Sequence, residues 1–306
     1  MALHQGPLIF LTDGTTESLS VLPDIASLAK ELGAQINTIY VDPTADPRQP
    51  ARALADNAIA ARIRAAATDE SVVASIYAGP LEQILPTLRL AGGPASAADQ
   101  PPSGFAIMRA SYRGRLGRLF TDNTHADLLR SGPLPLMVLP ASGTFDPLRR
   151  ILFPADLSPR SDAAFDAAVE LCRALAAELH VLHVYGDQLL PEERDQARRA
   201  AARNPLELLR IDQERHVRLI ERARTRNVRA VAHTGEGRAH TEIVKYAAAN
   251  NINAIVMPSH GTRTLEDMFF GSTTLRVIRR STIPVLALRG TPAHAQPPFD
   301  PIQPRE

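Results

Sequence analysis

Cysteine is almost absent from this sequence: Cys172 is the only one in 306 residues. A single thiol excludes an intrachain disulfide and any multi-cysteine zinc site. Placed on a helical stretch, it reads as a small core residue. Long hydrophobic runs are missing too; none approaches the roughly 18 to 20 apolar residues that a membrane helix needs. The opening MALHQGPLIFLTDG meets an acidic turn before a signal-like segment could form. The expectation is a cytoplasmic protein without a membrane partner. Charge of one sign is also lacking, since the formal net charge is +1, so no overall field gathers nucleic acid. What remains is a globular composition, 44% hydrophobic and 22% charged, in a chain long enough for about two domains.

The chain repeats itself. LIFLTDGTTES (8–18) lies over ILFPADLSPRS (151–161) at a constant offset of 143 positions, with Asp13 on Asp156 and Ser18 on Ser161. A second ungapped match, at an offset of 149, lays MRASYRGRLGRLFTDNTHADLLRSGPLPLMVL (108–139) over MPSHGTRTLEDMFFGSTTLRVIRRSTIPVLAL (257–288). Two copies therefore differ by six residues somewhere in their middle.

Each copy alternates strands with helices. In the second, ILFPA is followed by Phe165, Ala168, Val169, Cys172 and Leu175 at helical spacing, and Leu22, Ile25, Ala26, Ala29 and Leu32 take these places in the first. The later strands are LHVLHV, VRAVAHTG, NAIVMPS and PVLAL, with counterparts INTIYV, SVVASIYAG, FAIMRAS and PLMVL. Alternation of this kind predicts an α/β fold of two doubly wound, five-stranded parallel sheets, covered on both faces. The ligand crevice of such a sheet lies beyond the carboxyl ends of its strands. The expected division is a first domain over 1–140, a linker over 141–150, a second domain over 151–289 and a proline-rich tail over 290–306. Between the second and third strands of the second copy, Pro205 divides a charged stretch into two helices. The charges there read as a solvated face, with a partner surface as the alternative.

The segment MPSHGTRTLEDMFFGSTTLRVI (257–278) carries the chemistry. A helix opening at Ser272 points unpaired amides and about half a positive charge at its N-terminus, which suits an anion. Gly271 allows a phosphate close to the backbone, and Ser272 and Thr273 add hydroxyl donors. The same residues also suit a bare helix cap and turn, and Asp156 suits a cap for the helix that follows it. His180 and His183, three apart on a strand, point to opposite faces and cannot share a metal. His233 and His240 lack further ligand spacing, so no metal site is expected.

These residues resemble the universal stress proteins, whose signature is Gly, two residues, Gly, nine residues, then Gly-Ser or Gly-Thr between a strand and a helix. Gly261, nine residues, Gly271-Ser272, the closing PVLAL and the Asp of FPADLS all match. The resemblance covers nearly the whole chain as two copies of that fold, which is akin to the adenine nucleotide alpha hydrolases. It implies ATP, with a divalent cation, as ligand. Adenine is then expected beside Ala155, Asp156 and Val184, with ribose and phosphates along Met257, Pro258, Gly261, Gly271, Ser272 and Thr273. Pro258 replaces the first glycine of the signature and removes an amide donor, at a cost of about 1 kcal/mol. The resemblance also implies dimerisation through the last strands. In a tandem chain PLMVL would then lie antiparallel to PVLAL, giving an internal pseudo-dimer, with a homodimer through the charged helices as a further option.

The first copy presents Arg109, Tyr112, Asp122 and Asn123 where the second has Pro258, Gly261, Gly271 and Ser272. Tyr112 fills ligand space, and Asp122 sets a carboxylate where a phosphate belongs, a repulsion of at least about 1 kcal/mol. Nucleotide binding is thus expected in the second copy alone. Arg109, Arg113, Arg115 and Arg118 have little aromatic interleaving, so they read as surface or interdomain ion pairs and not as a nucleic-acid site. Three functions stay open at this level. One is a nucleotide-binding regulator of stress response coupled to a protein partner, and another is an interaction or scaffold protein without nucleotide. The third, an ATP-using enzyme, finds no support in TDGTTES or ADLSPRS, and no catalytic set can be assembled from the spacing. The expectation is no enzyme, with slow ATP hydrolysis left open.

Overall fold

The computed structural model describes residues 6–42, 46, 48, 52–54, 57–67, 69, 73–80, 83, 87–88, 104–110, 134–141, 145–157, 161–185, 205–258 and 272–288. The first half contains β1 (Leu8–Thr12), α1 (Thr16–Leu19), α2 (Leu22–Leu32), β2 (Ile36–Val41), β3 (Arg52–Ala53), α3 (Ala58–Ala66), β4 (Val73–Gly79), β5 (Phe105–Arg109) and β6 (Leu136–Leu139). The second contains β7 (Arg150–Pro154), α4 (Asp162–Ala174), β8 (Glu178–Tyr185), α5 (Pro205–Arg224), β9 (Ala230–Glu236), α6 (Ala239–Ala249), β10 (Ala254–Pro258), α7 (Ser272–Arg280) and β11 (Val285–Leu288). Helix α5 opens on Pro205, whose missing N–H costs nothing in a first turn.

The eleven strands form one sheet in the order β3-β4-β2-β1-β5-β6-β11-β10-β7-β8-β9. Each half is the expected parallel, doubly wound unit, and the small β3 adds an antiparallel edge to the first. Strand pairing follows the sequence offsets. Leu8 pairs with Ile36 as Ile151 pairs with Leu179, both displaced by 143. Leu8 also pairs with Phe105 as Ile151 pairs with Ala254, the latter strand displaced by 149. The third strand obeys neither offset: Thr38 pairs with Ile76 and Val181 with Ala232, a displacement of 156 (76 to 232). The second half is therefore longer before β9 and shorter after it, and the six-residue difference is the net of the two.

The halves join where β11 runs antiparallel to β6, as the tandem expectation required, with Val285 on Val138, Leu286 on Met137 and Ala287 on Leu136. Leu286 and Met137 are themselves equivalent residues, 149 apart, so their pair sits on a pseudo-twofold axis. Val285 on Val138 and Ala287 on Leu136 are then images of each other. This seam hides two sheet edges that would otherwise be open to pairing with other chains. It also makes the cores continuous. One cluster joins Phe10, Ile107 and Met137 to Leu286, Val256 and Phe153 on one face of the sheet. A second joins Ile9, Met108 and Val138 to Ala287, Ile255 and Leu182 on the other. Cys172 is fully buried in the first cluster, and burial pushes its thiol up out of reach of ionisation.

The segment between the halves is anchored to both. Arg149 makes a two-pronged ion pair with Glu31 of α2 at 2.8 and 3.1 Å and also donates to the Leu175 carbonyl at 2.7 Å. The charges of α5 are not all solvated, contrary to the main sequence reading. Arg222 and Arg226 both pair with Asp166 of α4, and Arg222 reaches Asp162 at 3.3 Å. Acids one turn apart on α4 face Arg222 of α5 and Arg226 in the turn just after it, so the pairs tie α4 to the end of α5.

Helices α2 and α4 end in the same way. Gly33 (φ 62) donates to Lys30 and Ala34 to Ala29, and Ala176 (φ 49) donates to Arg173 and Ala177 to Cys172. Glycine suits this left-handed position, and the second half holds it with alanine instead. After the first strand the contrast recurs, with Gly14 (φ 71) in one half and Leu157 (φ 57) in the other.

Candidate functional site

In the second half the chain order reverses between β10 and β7, which is where a doubly wound sheet opens its crevice. The ladder between β7 and β8 ends as the Ala155 N–H donates to the Leu182 carbonyl at 2.8 Å. The chain then leaves the sheet through Asp156 and left-handed Leu157. Asp156, half-buried, accepts a 2.7 Å hydrogen bond from the Ser161 hydroxyl in the turn before α4, so its carboxylate is held at the crevice edge. Ala155 and Val184 are 5% and 6% exposed, Ala155 in the first core cluster and Val184 in the second. Met257 is 4% exposed at the end of β10.

Half-buried Pro258 ends β10, and its carbonyl accepts from the Thr274 hydroxyl at 3.2 Å. Thr274 sits in the first turn of α7, so this bond ties the helix N-terminus to the strand end. Thr273, half-buried, flanks it. Helix α7 begins at Ser272, as the sequence predicts. Gly261 and Gly271 lie outside the described residues, as do Ser259, His260, Tyr112, Asp122, Asn123, Arg113, Arg115 and Arg118.

Two contributors went unread in the sequence. His183 bonds the Ala155 carbonyl through Nδ1 at 2.8 Å. A carbonyl only accepts, so Nδ1 carries the proton and Nε2 is left as the acceptor in the neutral ring. His180 points to the other face, as the strand period requires, and bonds the Tyr246 hydroxyl at 2.9 Å. Burial pushes its pKa below the ordinary 6.5 despite Glu178 nearby, and burial also raises Tyr246 to about 12.

The second, Arg109, is the counterpart of Pro258, and the sequence reading sets it among surface or interdomain ion pairs. It is buried, not a surface group. At 5% exposure its guanidinium donates to the Ala141 and Glu17 carbonyls at 3.0 Å each and to the Ser20 hydroxyl at 2.7 Å. Arg109 thus bridges the end of β5 to α1 and its C-cap Ser20 and to the chain after β6, closing that corner of the first-half crevice. The residues around Asp13 differ accordingly. Asp13 turns onto Thr15, accepting from its N–H and hydroxyl at 3.0 and 2.7 Å, while Ser18 bonds Thr12 at 2.8 Å.

Residues 147–289 match the model of the universal stress protein family. A universal stress protein of Bacillus subtilis, YxiE, is 30% identical over 152 residues, which span 46% of this chain and 98% of that protein. The chain belongs to the universal stress protein family. A second relative, universal stress protein MJ0577 of Methanocaldococcus jannaschii, is 42% identical over a shorter stretch of 53 residues, 17% of this chain and 33% of that protein. The crystal structure of a universal stress protein from Archaeoglobus fulgidus covers 94% of this chain and 98% of its own at a TM-score of 0.60 and 19% identity. The universal stress protein fold thus extends over both halves, in keeping with a tandem of two such units. Among the described residues, no helix is long and apolar enough to cross a membrane.

Proposed function

We propose that this universal stress protein binds one adenine nucleotide, ATP with a divalent cation, in its second half and acts as a cytoplasmic stress-response regulator for a protein partner, without a catalytic role of its own. The observation that carries the reading is the contrast between the two crevices. Arg109 fills its corner of the first with a guanidinium bonded to three acceptors, and Pro258 at the equivalent corner of the second places no donor there. The residues present suit the ligand. Buried Ala155, Val184 and Met257 offer an apolar seat for a base, with Asp156 at its edge as an acceptor. The N-terminus of α7 supplies amides and positive potential for phosphate. A bound nucleotide would bring phosphate charge that reports energy status, and these residues would hold and orient it. Pro258 favours the alternative, an interaction protein of the same family that holds no nucleotide, because a backbone donor is missing there.

Calorimetric titration of ATP with magnesium into the wild type, Gly271→Asp and Asp122→Gly distinguishes the two. We expect one site per chain, loss of binding in Gly271→Asp through repulsion of at least about 1 kcal/mol, and no change in Asp122→Gly. Two equal sites in the wild type, or full binding by a folded Gly271→Asp, would reject the assignment. No binding by the wild type would select the interaction protein.

A further inference from the structure

Away from that crevice, on the face where α6 and α7 pack together, lies a groove of about 590 Å³ lined by Arg238, His240, Arg276, Arg279 and Arg280. Its basic wall follows from helix geometry. Thr274, Val277 and Ile278 turn inward on α7, which leaves Arg276, Arg279 and Arg280 outward at spacings of three and four residues. Arg238 joins them from the residue before α6, where its side chain makes no capping bond. His240 is 4% exposed and forms the buried part of the wall. Among the described residues, no carboxylate pairs with the side chains of Arg238, Arg276 or Arg280, whereas Arg222, Arg226, Arg229 and Arg149 elsewhere all have acidic partners.

The fold does not require this charge. At the aligned positions the first copy has Asp127 for Arg276 and Ser131 for Arg280, and continuing the displacement of the third strand places Glu82 opposite Arg238. Of the four arginine positions, two are thus reversed in sign, one is neutral, and Arg279 alone keeps an arginine, Arg130. Arg238, Arg276 and Arg280, with no carboxylate partner among the described residues, add like charge along one groove and favour an anion there.

We infer that this groove is a second binding site, for a compound recognised through several linked phosphates. Guanidinium forks match phosphate oxygens two at a time, and several converging on one cavity suit a ligand with charge on adjacent phosphates. The groove is of small-ligand size. Among the described residues, no aromatic side chain other than the buried His240 imidazole lines it, so they offer little platform for stacking successive bases. Recognition is therefore of the phosphate chain, not of a base, and the site is separate from the adenine crevice proposed above.

Inorganic tripolyphosphate is the probe, titrated into the full chain by calorimetry at low and high salt. The variants are Arg276→Gln with Arg280→Gln, which keep helix propensity at exposed positions, and Gly271→Asp as the control for the other site. We expect saturable binding that weakens with salt and persists in Gly271→Asp, with an affinity loss of about tenfold for each guanidinium removed. Circular dichroism of the double variant checks that α7 is intact. Absence of saturable binding, undiminished binding by the folded double variant, or complete loss of binding in Gly271→Asp would each overturn the inference. Tighter binding of a single-stranded oligonucleotide through the same arginines would also overturn it and assign the groove to nucleic acid.

Discussion

Replacing Leu286 or Met137 with alanine tests whether the two halves are one cooperative structure. Both side chains are fully buried, and they face each other across the only antiparallel junction between the halves among the described residues. Truncating Leu286 removes three carbons, worth about 2.4 kcal/mol at roughly 0.8 per methylene. The cavity left behind raises the range to about 2–5 kcal/mol, and Met137→Ala belongs in the same range. The two residues share one cavity, so the double variant should depart from additivity by about 0.5–3 kcal/mol. Ile39 lies in the core on the other face of the sheet and provides a control that should add to Leu286→Ala within about 0.5 kcal/mol. Equilibrium urea unfolding followed by circular dichroism gives the midpoints and slopes. A single transition is expected throughout, because each core runs unbroken across the seam. Cost below about 1 kcal/mol in either single variant would refute the seam as a packed junction. Strict additivity of the pair would refute the register.

Two further outcomes follow from local geometry. Ala176→Gly should raise stability by up to about 1 kcal/mol, since exposed Ala176 has φ 49 where the first half uses Gly33; a thermal melt showing a loss would contradict this. Acidification should destabilise the protein through His180, which faces Glu178, Tyr246, His233, Arg150 and Arg229. Its folded pKa is depressed by burial, so the unfolded chain takes up the proton first, and stability present above pH 6.5 is lost as the pH falls below it. His180→Gln should flatten that dependence in urea titrations at pH 7.5 and 5.5, and an unchanged slope would clear His180 of the role.

Much of this fold was legible because a repeat carries its own register. The offsets of 143 and 149 predict which residues pair, and the second of them places Leu286 on Met137 at the axis. What the offsets could not locate was the length change on either side of β9, since two compensating shifts leave only their difference in an alignment of the ends. The ion pairs of α5 were hidden for a different reason. Arg222 and Arg226 are spaced to match Asp162, Asp166 and Glu170, but charge periodicity alone does not say whether a face meets water or another helix. The arginine groove was harder still, because Arg238 and Arg276 are brought together only by the packing of α6 on α7.

Arg109 shows how a repeat copy can fill a corner of its crevice from within and keep its fold. A crevice at the carboxyl end of a parallel sheet collects carbonyls and hydroxyls that need donors once they are buried. In the first half one arginine donates to Ala141, Glu17 and Ser20 at once, so that corner is satisfied from within the chain. The charge survives burial because hydrogen bonds surround it, although burial still lowers its pKa against the pull of Glu17 and Asp24. The sequence held a signal for this: FAIMR ends on a charge where its counterpart AIVMP has none. Proline at the same corner of the second half removes even its own amide. That half must satisfy its strand ends from the N-terminus of α7, from water or from a ligand, and the Thr274 hydroxyl on the Pro258 carbonyl is the one such bond that the described residues supply at that strand end. The two crevices thus solve one hydrogen-bonding problem in opposite ways, by a donor built into the strand in one and by donors brought to it in the other.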